Sequence, residues 1–227
     1  MADTIPPRNP ALLRWTAAWS FAGLAWSALT SLAILTTPAA LRWLLFSQHT
    51  RYLLLAGLML MLVWPMVRPV VSERLARVYL LGVSTVFGLF GAILTVALKL
   101  TPFLTVLALT GFSFGAMVLV GMFVPVSLKR PRRALELVRR VAELTLAGVT
   151  LGPELGWLET GILLLGLAAV LVMIGDDVQE LGDESRIVPE EAIQRAATLR
   201  AVDLYLSFFR LALMYTDLLR KRRKPRR

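Results

Sequence analysis

Cysteine is absent from the chain, and histidine occurs once, at His49. Without cysteine there are no disulfides, no thiolate metal ligands and no cysteine nucleophile. A zinc site needs several His or Cys ligands, so a lone histidine excludes that chemistry too. His49 is read instead as a residue of the membrane interface. Charge is also scarce: 18% of the 227 residues are charged, below the ~25% usual in soluble domains. The shortfall sits in long uncharged runs, at 15–37, 78–98 and 100–128. Each exceeds the ~18 residues that mark a membrane span. A hydrophobic fraction of 57% and a mean hydropathy of +0.68 agree. The chain reads as an integral, multi-pass membrane protein. Its first apolar run is longer than the ~7–15-residue core of a signal peptide, so it reads as a retained first span.

Where charge does occur, it is segregated. The net charge of +10 rests largely on the C-terminus, where Arg220, Lys221, Arg222, Arg223, Lys224, Arg226 and Arg227 crowd together. On a membrane protein such a cluster marks sidedness and suits anionic lipid headgroups, at ~1 kcal/mol per cation, rather than nucleic acid. Residues 129–140 hold six cations and Glu136. That loop is expected in the cytoplasm, which after four spans puts the N-terminus there as well. The basic tail favours the same side, yet three further spans would carry it across. Its side is left open, with a re-entrant segment among the last three spans as one resolution.

The uncharged runs define seven expected spans, at about 15–37, 52–67, 78–98, 103–127, 141–158, 159–175 and 197–219. The fold class expected is an all-α membrane protein, a seven-helix transmembrane bundle with a polar last helix at the centre. A short tail (1–14) precedes a single bundle (15–219), and the basic tail (220–227) follows. Gly148, Gly152 and Gly156 recur every four residues, as do Gly111 and Gly115, which favours close helix contact. The last span opens on Pro189, Glu190 and Glu191, a good first helical turn. Arg200, Asp203, Arg210 and Asp217 then fall inside its apolar part. Charges at such depth are costly unless they face the bundle interior or water.

Gly111-Phe112-Ser113-Phe114-Gly115 spells the elbow of serine hydrolases. That elbow needs a strand–turn–helix setting and a histidine partner, and here it lies in mid-span, so it reads as packing. The acids carry more. Glu180, Asp183, Glu184, Glu190 and Glu191 read as a solvated connection and helix-start charges. Asp176 and Asp177 close the sixth span, and Asp203 lies within the seventh. Asp203 either pairs with Arg200 or Arg210, or meets Asp177 in a coupled site. Two carboxylates in low dielectric do not both ionise cheaply; such a pair shares a proton, and holds a hard cation when deprotonated. Intramembrane aspartyl proteases also use two carboxylates. Here Glu180-Leu181-Gly182-Asp183 lacks the first glycine of their motif, and Pro-Ala-Leu occurs only at 10–12. No enzymatic activity is expected.

Asp177-Val178-Gln179 after an apolar span, followed by Ala201-Val202-Asp203-Leu204-Tyr205-Leu206-Ser207-Phe208-Phe209, resembles the end of the transmembrane Bax inhibitor motif family. Thr110 to Gly115, running into Lys129-Arg130-Pro131-Arg132-Arg133, is similar to that family's fourth helix and basic loop. The similarity covers about residues 76–216. It implies a seven-helix bundle and a pH-sensitive calcium leak governed by an aspartate pair, here Asp177 and Asp203. Bound calcium at that pair is implied, with Asp176, Ser207, Arg200 and Arg210 in support and no other cofactor. Gly175 or Asp176 stands where the family has Tyr. Ser207 stands at the family's seventh-helix Asp, and Asp203 lies one turn earlier, about 6 Å along the helix. Expected partners are the bilayer, calcium or another cation, and anionic headgroups. The alternative is a non-transporting adaptor that binds other membrane proteins through its glycine-lined faces and basic tail.

Overall fold

The computed structural model describes residues 9–46, 49–98, 100–123, 132–151 and 157–223. Eight α-helices and two short 3-10 turns occupy the described residues, and no strand occurs among them. The helices are α1 (Pro10–Thr36), α2 (Pro38–Phe46), α3 (His49–Val67), α4 (Glu73–Leu98), α5 (Leu100–Phe123), α6 (Arg132–Leu151), α7 (Trp157–Glu184) and α8 (Ile193–Arg223).

Local chemistry accounts for several boundaries. Asn9 caps α1: its side-chain oxygen accepts the Ala11 N–H at 2.9 Å, and Pro10 takes the first helical position. Pro38 follows the extended Thr37 and separates α1 from α2. Pro65 lies in the last turn of α3, and the chain tightens into a 3-10 turn at Arg68–Val70 before α4. Glu190 and Glu191 form a 3-10 turn after Pro189 that leads into α8.

Among the described residues, four helices are long and apolar enough to cross a membrane: α1, most of α4, most of α5, and α7. A shorter apolar stretch covers Met59–Val70. Their outward faces stay greasy, with Phe21, Phe112, Phe123 and Leu165 all exposed. In water such a surface would aggregate; in a bilayer it is solvated by hydrocarbon. The helices fit an integral membrane protein.

Packing pairs reveal the helix directions. Gly23 lies against Leu80 and Tyr205, and Gly88 against Ser27 and Thr30, so α1 and α4 run side by side in one direction. Leu12 packs with Ile193 and Ala197 at the start of α8, so α8 shares that direction. Gly57 meets Val86 and the Tyr79 hydroxyl donates to the Leu60 carbonyl, which sets α3 antiparallel to α4. Gly121 abuts Gly175 and Val178, and Gly175 meets Met117, which sets α5 alongside α7 in the opposite direction to α8. The Asn9 N–H donates to the Ser185 carbonyl at 3.0 Å and ties the start of α1 to the α7–α8 connection. All three buried apolar clusters include residues of α8: Val202, Tyr205 and Leu206; Leu211 and Met214; Ile193 and Ala197.

Several expectations need correction. The helix of the fifth expected span, α6, begins at Arg132 rather than about 141. α7 runs on to Glu184, so Asp176, Asp177, Glu180 and Asp183 are helical, and no loop starts at Glu180. Gly111 and Gly115 meet nothing within 4 Å of a built Cβ and make no close contact. Gly152 and Gly156 lie outside the described residues, as do 1–8, 124–131 and the final four residues.

The close approaches are at other glycines. A Cβ on Gly88 would sit 2.6 Å from the Ser27 carbonyl oxygen, which belongs to backbone and gives little. Gly88→Ala is expected to destabilise by about 1–3 kcal/mol through overpacking. Gly111→Ala, in open space, is expected to be neutral or slightly stabilising by helix propensity. Thermal unfolding in detergent separates the two.

Candidate functional site

Arg200, Asp203, Ser207, Arg210 and Asp217 recur at intervals of three, four, three and seven residues along α8. That spacing keeps them on one face, and the face points inward: Arg200, Ser207, Arg210 and Asp217 are buried. From 200 to 217 the stripe climbs about 25 Å, close to the ~30 Å thickness of a bilayer's hydrocarbon core. Arg200, Asp203 and Arg210 each have an ionic partner on another element.

Asp203 is held from α3 and the turn that follows it. The Trp64 indole N–H donates to one carboxylate oxygen at 2.7 Å. The Arg68 guanidinium lies 3.1 Å from the other, with the two side chains 30% and 14% exposed. Proline chemistry makes this possible: Pro65 and Pro69 flank Arg68, so the end of α3 turns sharply and presents the arginine to α8. Trp64 is aimed by its own neighbour, the Tyr79 ring, at 4.6 Å between centroids.

Arg200 does not take Asp203. It binds two acids one turn apart on α7, Glu184 at 2.6 Å and Glu180 at 2.9 Å. These acids were read from sequence as a solvated connection; their helical i,i+4 spacing instead makes a two-pronged clamp. The same pairing fixes the register of α7 on α8. In that antiparallel register Asp177 and Asp203 come to the same level of the two helices.

Arg210 lies deeper. Its Nε is 2.6 Å from Oε1 of Glu143, with both side chains 4% exposed. Arg139 approaches the same oxygen at 3.6 Å, and an Arg210 terminal nitrogen donates to the Met61 carbonyl at 3.4 Å. Two guanidiniums on one carboxylate leave an excess of positive charge. Glu136 and Asp177 both act on Arg139 electrostatically and offset that excess. Buried charges are retained only when paired in this way.

The structure therefore gives the two singled-out aspartates different cationic surroundings: Asp203 has Arg68, and Asp177 lies in the field of Arg139. Asp176 is half-buried beside Asp177, with contacts of its own. Ser207 is buried on the stripe between Asp203 and Arg210. Among the described residues, no group of three or more His, Asp or Glu comes together in a way that would hold a metal ion.

Sequence reasoning missed Trp64, Arg68, Arg139 and Glu143. Two signals were present: an arginine between two prolines at the end of a span, and Arg139 four residues before Glu143, an ion-pair spacing on a helix. Ser113, from the hydrolase-like pentapeptide, lies within α5 and hydrogen-bonds the Tyr215 hydroxyl at 2.7 Å. That contact docks α5 on α8.

The donor role of Trp64 is separable from its bulk. Trp64→Phe keeps an aromatic on Tyr79 and removes the N–H. A hydrogen bond to a charged group contributes about 1.5–3 kcal/mol, so a fall of that order in unfolding free energy is expected by thermal or denaturant melting. An unchanged melt would show that the contact contributes nothing.

No protein-family model matches the chain, and comparison with curated proteins and with solved structures gave no match.

Proposed function

We propose that this chain is a pH-responsive cation leak protein: a seven-helix membrane bundle with α8 at its centre, conducting along the polar stripe of that helix. The observation that carries this reading is the Asp203–Arg68–Trp64 contact. It ties the end of α3 to the ionic stripe on the buried face of α8. Ionisable groups inside a membrane bundle mark ion or proton routes far more often than they mark stability, because burying them costs several kcal/mol.

The mechanism is electrostatic. With Asp203 ionised, Arg68 and the Trp64 N–H hold the α3 connection against α8, and the route past Ser207 is closed. Protonation removes the negative charge, Arg68 loses its partner and returns to water, and the latch opens. Flux therefore rises as pH falls. Arg200 and Arg210 flank Asp203 on the same stripe. Arg200 is occupied by Glu180 and Glu184, and Arg210 by Glu143, so Arg68 is the cation free to leave.

Asp177, level with Asp203 across the α7–α8 interface, is the carboxylate that meets the ion once the latch has opened. Calcium is the ion implied by the resemblance to the Bax inhibitor motif family. Calcium takes six to eight oxygens, and with Asp203 protonated Asp177 and Ser207 offer three between them. Water and backbone carbonyls complete its shell in passage, so the ion is cargo and not a resident. Calcium uptake into protein-loaded liposomes, followed from about pH 8 to about pH 5, tests the reading. Uptake that rises with acid supports it, and its absence at every pH in correctly folded protein overturns it.

A further inference from the structure

A cavity of about 450 Å³ lies between α1, α4, α5 and α8, away from the ionic stripe. Its size is that of an ordinary ligand pocket, but its chemistry is not. Leu24, Leu35, Phe90, Leu94 and Leu213 are typical of its wall, and no charged side chain lines it. Three hydroxyls do, those of Ser27, Ser31 and Thr95. Two of these are already engaged: Ser27 donates to the Ser84 carbonyl at 2.8 Å and meets the Tyr205 hydroxyl at 2.5 Å, and Thr95 donates to the Gly91 carbonyl at 2.8 Å. A ligand recognised here is recognised by shape and apolar contact.

The cavity is built into the bundle. Phe87 and Phe209 stack on its floor at 4.1 Å with their planes 16° apart, and Tyr205 packs on Phe209 at 4.8 Å. α1 and α5 form the two walls; each packs on α4 and α8 but scarcely on the other. The gap between them is flanked by exposed Leu32 and Leu107, so the cavity opens sideways. Its α1 wall runs from Leu24 to Leu35, about 16 Å of helix. One leaflet of hydrocarbon is half of the ~30 Å core, so the slot has the length of one acyl chain. α1, α4 and α5 all have membrane-crossing character at this level, and hydrocarbon is the medium at the opening. An empty apolar space forfeits dispersion contacts on every side.

From these features we infer that the cavity binds a single acyl chain of a membrane phospholipid, inserted laterally between α1 and α5. The full-length protein is reconstituted in phosphatidylcholine vesicles bearing a diazirine on the acyl chain, irradiated, and mapped for adducts by peptide mass spectrometry. Adducts are expected on Phe209 and Leu213 inside the cavity, as well as on the outward Phe112. Ala28→Phe combined with Leu107→Trp fills the slot, and is expected to lower the inner adducts about tenfold while Phe112 is labelled as before. Leu107→Ala, which widens the opening, should keep or raise them. Wild-type adducts confined to outward residues would overturn the inference, and this readout needs no variant. Inner adducts that persist after filling would overturn it equally.

Discussion

Asp203→Asn is expected to raise calcium uptake at about pH 8 by about tenfold and to abolish the further rise that the proposed latch gives wild-type protein on acidification. The amide is close in shape to a protonated carboxyl, so the variant is fixed in the proposed open state. Arg68 loses its ionic partner on α8, while Trp64 still has an oxygen to donate to. The size follows from the pair. Arg68 is partly exposed, so solvent screens the attraction, and about 1.4 kcal/mol of latch stability is a reasonable magnitude, which is a factor of ten. Arg68→Gln should act in the same direction, because it removes the other half of the pair. Arg195→Gln neutralises an exposed cation of the same helix and should leave both basal uptake and pH response alone. If Asp203→Asn behaves like wild type in rate and pH dependence, the latch does not govern flux.

The second large effect concerns stability. Glu143→Leu leaves Arg210 and Arg139 buried together with their nearest carboxylate gone, and is expected to cost about 3–5 kcal/mol. Arg210→Met should cost less, because Arg139 still approaches Glu143. The double variant Glu143→Leu with Arg210→Met exchanges the closest buried pair for apolar side chains of similar size and leaves Arg139 buried without that carboxylate. Buried pairs exchanged in this way are often tolerated, so the double should recover part of the loss of Glu143→Leu, the remainder being the cost of Arg139. Melting in detergent across the four proteins gives the coupling directly. Strict additivity would mean that the 2.6 Å contact carries no energetic coupling.

The legible parts of this chain were those governed by hydropathy. Four runs of uncharged sequence became α1, α4, α5 and α7, within about five residues except at the end of α7, because a membrane-length apolar helix has no other stable arrangement. Arg200, Asp203 and Arg210 were legible as inward-facing charges for the same reason. Their partners were not. Arg68 precedes Asp203 by well over a hundred residues, and no local pattern links a 3-10 turn after α3 to the middle of α8. The glycines misled in a similar way. Gly111 and Gly115 have the spacing of a close-packing face, but whether a bare face meets another helix is decided by tertiary packing. It is Gly88, with the Ser27 carbonyl 2.6 Å from its absent Cβ, that makes the contact. The end of α7 was misjudged because acids suggest solvent, whereas Glu180 and Glu184 are the ligands of Arg200.

A charge swap tests the latch most directly. Arg68→Asp alone and Asp203→Arg alone place like charges at the contact and should each give high, pH-insensitive calcium uptake. The double variant rebuilds an ion pair of opposite polarity, with a titratable carboxylate still in it. Uptake measured from about pH 8 to about pH 5 should return to a low basal rate that rises with acid. A double variant as leaky and as pH-blind as the single ones would contradict gating by the Arg68–Asp203 pair.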